Sequence, residues 1–123
     1  MAEAGLARFE LEHEDAVQVP DLVRQGRITA LIALQTGWAG SIYQDLIAEG
    51  LRVPQDVSLI GFDSSNTLFN GVQLAHVQMP KEDMAMKAVS LLVDSLGAKE
   101  YDDTEQVELP CQFVMGGSLA RPK

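Results

Sequence analysis

The chain has 123 residues, 46% of them hydrophobic, and a formal net charge of −9. This length and composition predict a single domain, residues 1–123, with a modest hydrophobic core. The nine lysines and arginines are scattered, whereas nucleic-acid and anionic membrane surfaces need clustered positive charge, so neither partner is expected for this chain. No apolar run is long enough to span a membrane, the first residues lack a signal-peptide pattern, and a single cysteine fits a reducing cytoplasm.

The first 27 residues carry the least decisive pattern. Residues 1–6 fit the end of a helix, and residues 7–12 fit a short strand. Residues 15–26 have helical spacing, but Pro20 should start, kink or shorten that helix because proline lacks the amide hydrogen.

A βαβ unit is predicted next. Residues 28–34 (ITALIAL) form a continuous apolar run, which is typical of a strand buried on both faces. Thr36 is predicted to cap the helix that follows, and Gly50 is predicted to end it. Residues 57–62 then predict a second buried strand, parallel to the first.

The rest of the chain predicts two further strands and a helix. Residues 72–79 predict a strand, and residues 80–96 predict a helix that starts at Pro80. Residues 107–115 alternate apolar and mostly polar side chains, which indicates a half-exposed strand, and Pro110 places it near a sheet edge. Together these elements predict an α/β fold of three layers, in which a mostly parallel sheet is flanked by helices.

Polar side chains follow the two strands of the βαβ unit, at the point where each strand ends. Gln35 and Thr36 follow the first strand, and Asp63 and Ser64 follow the second. Parallel strands bring their carboxyl ends to one edge of a sheet, where α/β proteins bind ligands. These amide, hydroxyl and carboxylate groups suit a polyhydroxylated or amine-bearing small molecule, with Trp38 nearby as a flat apolar surface. The pattern alone slightly favours the alternative, an ordinary turn cap at Asp63.

Other chemically capable residues fit structural roles better. His13 lies in an acidic stretch with no second histidine at metal-ligand spacing, which favours a solvated acidic face over a metal site. His76 is expected to be a half-buried histidine with satisfied hydrogen bonds, and Cys111 a core residue rather than a nucleophile. Residues 115–118 (MGGS) open no helix and make a poor phosphate cradle. No catalytic residue, metal site or cofactor is therefore predicted.

One stretch of the chain resembles a known family. The run GLRVPQDVSLIGFDSS resembles the effector-binding domain of the LacI/GalR transcription regulators, which has the type I periplasmic-binding-protein fold. The family pattern is a glycine followed by V-P-x-D-V-S-apolar-apolar-G-F/Y-D, and it is matched here by Gly50, Val53, Pro54, Asp56, Val57, Ser58, Gly61, Phe62 and Asp63. Flanking stretches are similar as well, so the resemblance covers about residues 28–122.

The resemblance implies one lobe of that fold. It also implies a DNA-binding transcription regulator, a repressor, that responds to a small molecule such as a sugar. It also implies that the carboxylate of Asp63 contacts the effector. Gln35 and Thr36 stand where the family usually has Asn-Asp, and Gly116 stands near the place of a tail arginine. These departures leave the identity of the effector open.

Compared with the family, the chain lacks the N-terminal helix-turn-helix and most of the first lobe. We therefore expect a partial effector-binding domain that neither binds DNA nor holds effector well by itself. The helix at 80–96 has a broad apolar face, which in the family leans on the other lobe, and we expect it to drive formation of a homodimer. The alternative function is a sugar-binding protein of a transport system, which shares the fold. An enzyme of flavodoxin-like architecture would need a cofactor loop or a catalytic pair, and the sequence offers neither.

Overall fold

The computed structural model describes residues 7–63, 68–97 and 105–122. Its elements in chain order are a 3₁₀ helix (His13–Gln18), α1 (Val19–Arg24), β1 (Ala30–Ala33), α2 (Thr36–Ala48), β2 (Ser58–Phe62), β3 (Leu68–Phe69), β4 (Val72–Gln73), β5 (Ala75–Gln78), α3 (Lys81–Gly97) and β6 (Gln112–Val114). Four of the described strands form one sheet in the order β1-β2-β5-β6. Within this sheet β1 pairs with β2 and β2 with β5 in parallel, and β5 pairs with β6 antiparallel. The α/β class and the mostly parallel sheet flanked by helices are thereby confirmed.

The predicted βαβ unit is present, but its first strand is not buried on both faces. β1 pairs in parallel with β2 from Ala30↔Ser58 to Ala33↔Gly61, and α2 packs against both strands. β1 lies at one end of the described sheet order, and Ile32 is 54% exposed. The burial expected for this strand is therefore wrong, because an apolar run does not distinguish a central strand from an edge strand with one open face.

The hydrophobic core lies between the helices α1 and α2 and one face of the sheet. Its buried side chains come from the two helices, from the strands β1 and β2, and from the segments before β2 and β5: Val19, Val23, Ala33, Ala39, Ile42, Tyr43, Leu46, Val53, Val57, Leu59 and Leu74. Burial of each large aliphatic side chain contributes on the order of 2 kcal/mol. This half of the molecule therefore supplies most of the apolar stabilisation that the described residues provide.

The N-terminal region differs from the sequence-based expectation in one respect. Residues 7–12 form no strand, because no neighbouring strand pairs with them among the described residues, and residues 1–6 lie outside the described part of the chain. The 3₁₀ helix runs directly into α1, which begins at Val19 and has Pro20 in its first turn. Of the three effects left open for this proline, the structure therefore shows a helix that begins one residue before it.

α2 begins and ends close to its predicted limits. The extended residue Gln35 is its N-cap and makes no side-chain cap hydrogen bond, so the capping role predicted for Thr36 is wrong. Thr36 is instead the first helical residue. At the other end Gly50 has a φ of 76°, and its N–H and that of Leu51 donate to carbonyls of the last helical turn at 3.0 and 2.9 Å. This Schellman arrangement confirms Gly50 as the residue that ends the helix.

A short hairpin, β3–β4, was not predicted from the sequence. Its two-residue loop is Asn70-Gly71, and both residues have positive φ (49° and 79°), as a type I′ turn requires. Phe69 of β3 stacks on Tyr43 of α2 with the ring centroids 4.9 Å apart, so the hairpin is packed on that helix. The Asn-Gly pair is the sequence signal for this turn, and the single strand expected over 72–79 is in fact β4 and β5 with Leu74 between them.

The last strand is shorter and more exposed than its alternating pattern predicts. β6 pairs antiparallel with β5 at the edge of the sheet, which confirms the edge position inferred from Pro110. Phe113 and Met115 are nevertheless exposed, and Cys111 is an exposed free cysteine, so its predicted core position is wrong. The alternation fails here because no described element packs against the face of β6 that bears these side chains.

α3 occupies the predicted stretch and starts one residue after Pro80, at Lys81. None of its residues is buried, and Leu96 is 80% exposed. The broad apolar face inferred from the sequence is therefore uncovered in this chain. No helix among the described residues is long and apolar enough to cross a membrane.

Candidate functional site

Asp63 lies directly after β2, at the carboxyl edge of the parallel strands. Its φ is 57°, in the left-handed region that aspartate and asparagine tolerate better than most residues. Its backbone N–H donates a 2.7 Å hydrogen bond to the carbonyl of Val77 in β5, which fixes the turn against the neighbouring strand. The carboxylate is 23% exposed, so it is accessible from the edge of the sheet.

The carboxylate of Asp63 forms an ion pair with Lys81. Lys81 Nζ and Asp63 Oδ2 are 2.6 Å apart, and the lysine side chain is 62% exposed. Lys81 was not among the site residues predicted from the sequence. A lysine in the first turn of a helix is unfavourable to the helix dipole, but the sequence does not show which anion offsets it, because Asp63 lies 18 positions earlier in the chain.

The other predicted site residues lie around the same edge, with different surroundings. Ala33 of β1 is in register with Gly61 of β2, so Gln35 and Asp63 each follow that registered pair by two residues. Gln35 is exposed there. Ser64 lies outside the described residues, as does the side chain of Thr36.

Trp38 is partly buried and packs against the core, so it is not a freely exposed flat surface. Its ring also meets the imidazole of His13, with the centroids 4.9 Å apart and the planes tilted by 31°. A ligand at this edge would therefore share Trp38 with His13 and with the core.

An open groove of about 710 Å³ lies beside the ion pair. It is lined by residues from the ends of β2, β5 and β6 and from the first turn of α3: Asp63, Gln78, Met79, Pro80, Lys81, Glu82, Asp83, Pro110 and Gln112. Its polar groups are carboxylates, amides and one ammonium group, which can accept and donate hydrogen bonds to a hydroxylated molecule. The groove therefore combines the predicted Asp63 with side chains from β5, α3 and β6 that the sequence analysis did not assign to a site.

Most of the motif that carries the family resemblance builds the scaffold of this edge. The guanidinium of Arg52 binds the carboxylate of Asp56 through two hydrogen bonds of 2.9 and 3.0 Å, and the same carboxylate accepts from the Arg52 backbone N–H at 2.7 Å. These hydrogen bonds with Asp56 raise the pKa of Arg52 above its ordinary value. Val53 and Val57 fill the core on either side of this closed loop. The loop thus fixes the start of β2, and Asp63 comes at the other end of that strand.

The C-terminal tail holds the opposite, amino edge of the sheet. Ser118 is 1% exposed; its hydroxyl accepts from Ala75 N–H at 2.8 Å and donates to the Leu59 carbonyl at 2.5 Å. Gly116 approaches the segment before β5 so closely that an added Cβ would stand 2.3 Å from the Gln73 carbonyl oxygen. The stretch MGGS, which is a poor phosphate cradle by its pattern, is therefore a structural connection between β2 and β5.

The remaining candidates have the structural roles that their patterns favoured, except for Cys111. His76 is buried, and its Nδ1 lies 2.9 Å from the carbonyl oxygen of Leu74, so it is a satisfied histidine, although more deeply buried than expected. His13 is exposed, and its ring meets the tilted ring of Trp38. Within 7–63, 68–97 and 105–122 no cluster of three metal-ligating side chains occurs.

The chain matches a known protein family and several curated repressors. Residues 2–119 match the model of a periplasmic binding protein-like domain. Over 72 residues the chain is 35% identical to the HTH-type transcriptional repressor PurR of Yersinia enterocolitica, and the match covers 58% of this chain and 21% of the repressor. A repressor of the same name from Edwardsiella ictaluri gives the same figures.

Solved structures give the same answer for the fold. A LacI-family transcription repressor from Corynebacterium glutamicum is 27% identical with a TM-score of 0.72, and the match covers 88% of this chain and 42% of that one. A LacI-family regulator from Lactobacillus casei with bound sucrose is 25% identical with a TM-score of 0.66, over 84% of this chain and 38% of that one. A LacI-family regulator from Mycobacterium smegmatis, 22% identical, superposes over 99% of this chain and 49% of its own with a TM-score of 0.73.

The chain thus spans about a fifth of the curated repressors that it matches and less than half of these solved chains. The family model covers nearly all of its residues, and the β1-α2-β2 unit, the R-V-P-Q-D loop and Asp63 stand where the resemblance predicts them. The chain belongs to the periplasmic binding protein-like domain family and, within it, to the effector-binding domains of the LacI/GalR-type transcription regulators.

Proposed function

We propose that residues 1–123 act as a partial effector-binding domain of a LacI-type transcription regulator, and that the regulator is a cytoplasmic repressor. The observation that carries this proposal is the position of Asp63, at the carboxyl edge of a parallel sheet, at the end of the motif and beside an open polar groove. DNA would be contacted through a helix-turn-helix domain that these residues do not contain. We assign no catalytic activity to the chain, in line with the regulators that it resembles.

The proposed effector is a neutral polyhydroxylated molecule, with a sugar as the leading class. The groove offers carboxylates and amides, which suit hydroxyl groups, and one similar regulator was solved with bound sucrose. Asp63 is proposed as the principal acceptor, with Gln35, Thr36, Trp38 and Ser64 as further members of the site. Hydrogen bonds to a charged carboxylate are stronger than those to neutral groups, so Asp63 should contribute most to affinity.

Titration with sucrose and a panel of neutral pentoses and hexoses tests this assignment. Binding should be weak, because the chain spans less than half of the length of its solved relatives, so amide chemical shifts suit the measurement better than calorimetry. Amide shifts should move at residues 61–63, 81, 82 and 112, and Asp63→Asn should weaken binding by about ten-fold or more. Asp45→Asn, on the exposed side of α2, is the matched control. Unchanged affinity in Asp63→Asn would show that the site assignment is wrong.

The coding sequence that precedes residue 1 distinguishes the regulator from a transport protein of the same fold. A helix-turn-helix there would support the regulator, and a secretory signal peptide would contradict it.

Self-association through α3 belongs to the same proposal. Exposed Met86, Val89, Val93 and Leu96 recur at spacings of three, four and three residues, which is the a/d seam of a coiled coil. That spacing fits a second copy of the same helix, so we propose a homodimer. A monodisperse monomer in light scattering at micromolar concentration would contradict it, and Val93→Gln should weaken the dimer if it forms.

A further inference from the structure

The ion pair between Asp63 and Lys81 joins two parts of the molecule that otherwise share little packing. Asp63 belongs to the turn after β2, which is anchored to β5 by a 2.7 Å backbone hydrogen bond. Lys81 is the first residue of α3, and its ammonium nitrogen lies 2.6 Å from the Asp63 carboxylate. The pair therefore connects the rim of the proposed effector site to the start of a helix.

Little else among the described residues holds α3 against the sheet. The helix has no buried residue, so apolar burial contributes almost nothing to its position. Its first turn is fixed by short backbone bonds, in which Lys81 N–H donates to the Met79 carbonyl (2.9 Å) and Met84 N–H donates to the Pro80 carbonyl (2.8 Å). These bonds stay within the chain segment that leads into the helix, whereas the Asp63–Lys81 pair crosses to another strand.

We propose that this ion pair, called the latch below, holds the first turns of α3 at the sheet edge and releases them when the Asp63 carboxylate is taken by another partner. The inference rests on the proposed function only for the identity of that partner, an effector bound at Asp63. A carboxylate has a limited number of acceptor positions, so effector hydroxyl groups and the Lys81 ammonium compete for it. Effector occupancy and the position of α3 are then coupled, because each changes the free energy of the other.

The unequal exposure of the two side chains indicates which partner of the latch leaves. The backbone of Asp63 is fixed and its side chain is mostly covered, whereas the lysine has a long flexible side chain that is mostly in solvent. The lysine is thus the partner that can leave. Its departure costs little because a free ammonium group is well hydrated.

Hydrogen exchange in the ligand-free chain tests the latch without any effector. Lys81→Met and Asp63→Asn remove one charge each, and asparagine keeps the tolerance for the left-handed backbone at position 63. Each variant should exchange amides 84–90 faster by roughly 1.5- to 5-fold, the range expected for a partly exposed pair. The double variant should exchange no faster than the faster of the two single variants, because the ion pair is already broken in each of them.

Controls separate the latch from general destabilisation. Lys87→Met removes a lysine from the same helix that has no ion-pair partner among the described residues, and it should leave exchange at 84–90 unchanged. Amides 58–62 of β2 should keep their protection in all variants. Sodium chloride at 1 M should accelerate exchange at 84–90 in the parent chain but not in Lys81→Met, because salt screens the pair.

The outcomes also separate this inference from the proposed function. Unchanged exchange at 84–90 in Asp63→Asn and Lys81→Met would overturn the latch, even if sugars bind at Asp63. Additive effects in the double variant would overturn it as well. Faster and non-additive exchange supports the latch even if no sugar in the panel binds, in which case only the assigned effector is wrong.

Discussion

The two edges of the sheet are held by different kinds of interaction. At the amino edge the C-terminal tail is joined to β2 and β5 through the buried hydroxyl of Ser118. At the carboxyl edge Asp63 meets Lys81 through a partly exposed ion pair beside an open groove. A buried hydrogen bond that loses one partner leaves a group that water cannot reach, whereas an exposed ion pair that loses one partner leaves a group that water hydrates.

This difference predicts that the amino edge contributes to the stability of the fold and that the carboxyl edge contributes to ligand binding. Substitutions at the amino edge should lower the free energy of unfolding and have no specific effect on ligand binding. Substitutions at the carboxyl edge should leave the fold nearly intact and change what the molecule binds. Four substitutions, taken from the largest expected effect to the smallest, test this contrast.

Gly116→Ala should destabilise the chain most. The new Cβ would stand 2.3 Å from the Gln73 carbonyl oxygen and 2.5 Å from the Ala75 backbone nitrogen, and backbone atoms in a sheet cannot move aside easily. We expect a loss of about 3 kcal/mol in the free energy of unfolding, measured by urea denaturation. Gly37→Ala is the control, since nothing lies within 4 Å of its added Cβ. Equal stability of the two variants would contradict the close packing of the tail.

Ser118→Ala should have the next largest effect. It removes the acceptor of the Ala75 N–H and the donor to the Leu59 carbonyl, and both groups are in the buried part of the sheet. The free energy of unfolding should fall by roughly 1 to 3 kcal/mol in the same assay. Ser41→Ala, whose exposed hydroxyl donates to a carbonyl of its own helix, should change it by less than about 0.5 kcal/mol. An unchanged free energy of unfolding in Ser118→Ala would mean that the tail does not hold the amino edge.

Asp63→Asn should change stability by less than about 1 kcal/mol, because the ion pair that it removes is partly exposed. Its main effect should appear in the sugar titration instead. A loss of stability as large as that of Ser118→Ala would remove the contrast between the two edges, and the same urea experiments would reveal it.

Leu96→Gln should have the smallest effect on the monomer. The side chain is 80% exposed, so its removal takes almost no apolar contact from the folded chain. We expect a change within about 0.5 kcal/mol when unfolding is measured at low protein concentration. Leu46→Ala, at a fully buried position of α2, should lower the free energy of unfolding by roughly 3 kcal/mol and is the buried counterpart of Leu96→Gln. A marked loss of stability in Leu96→Gln at low concentration would mean that α3 is packed in solution.

The local patterns of the chain predicted its elements well where neighbouring residues decide the structure. Gly50 ends α2 because a left-handed residue completes the hydrogen bonding of a helix end, and Pro20 fits the first turn of α1 because its missing N–H is not needed there. The Asn70-Gly71 turn obeys an equally local rule, and it was missed although its signal is in the sequence. The family resemblance located Asp63 by a long and specific pattern.

The patterns failed where burial depends on what packs against a strand. Ile32, Cys111 and Phe113 have the composition of core positions, yet all three are exposed because no described element covers them. Lys81 was missed because the ion pair joins residues 18 positions apart, through the pairing of β2 with β5.

The sequence by itself determined the βαβ unit, the limits of α2 and α3, the family and the carboxylate at the end of β2, because each of these follows from residues that are close together in the chain. Only the tertiary structure decided that Lys81 reaches Asp63, that Ser118 joins β2 to β5, and which faces stay exposed. These features depend on contacts between residues distant in sequence, and hydrophobic periodicity gives the side of an element that is apolar but not the partner that covers it.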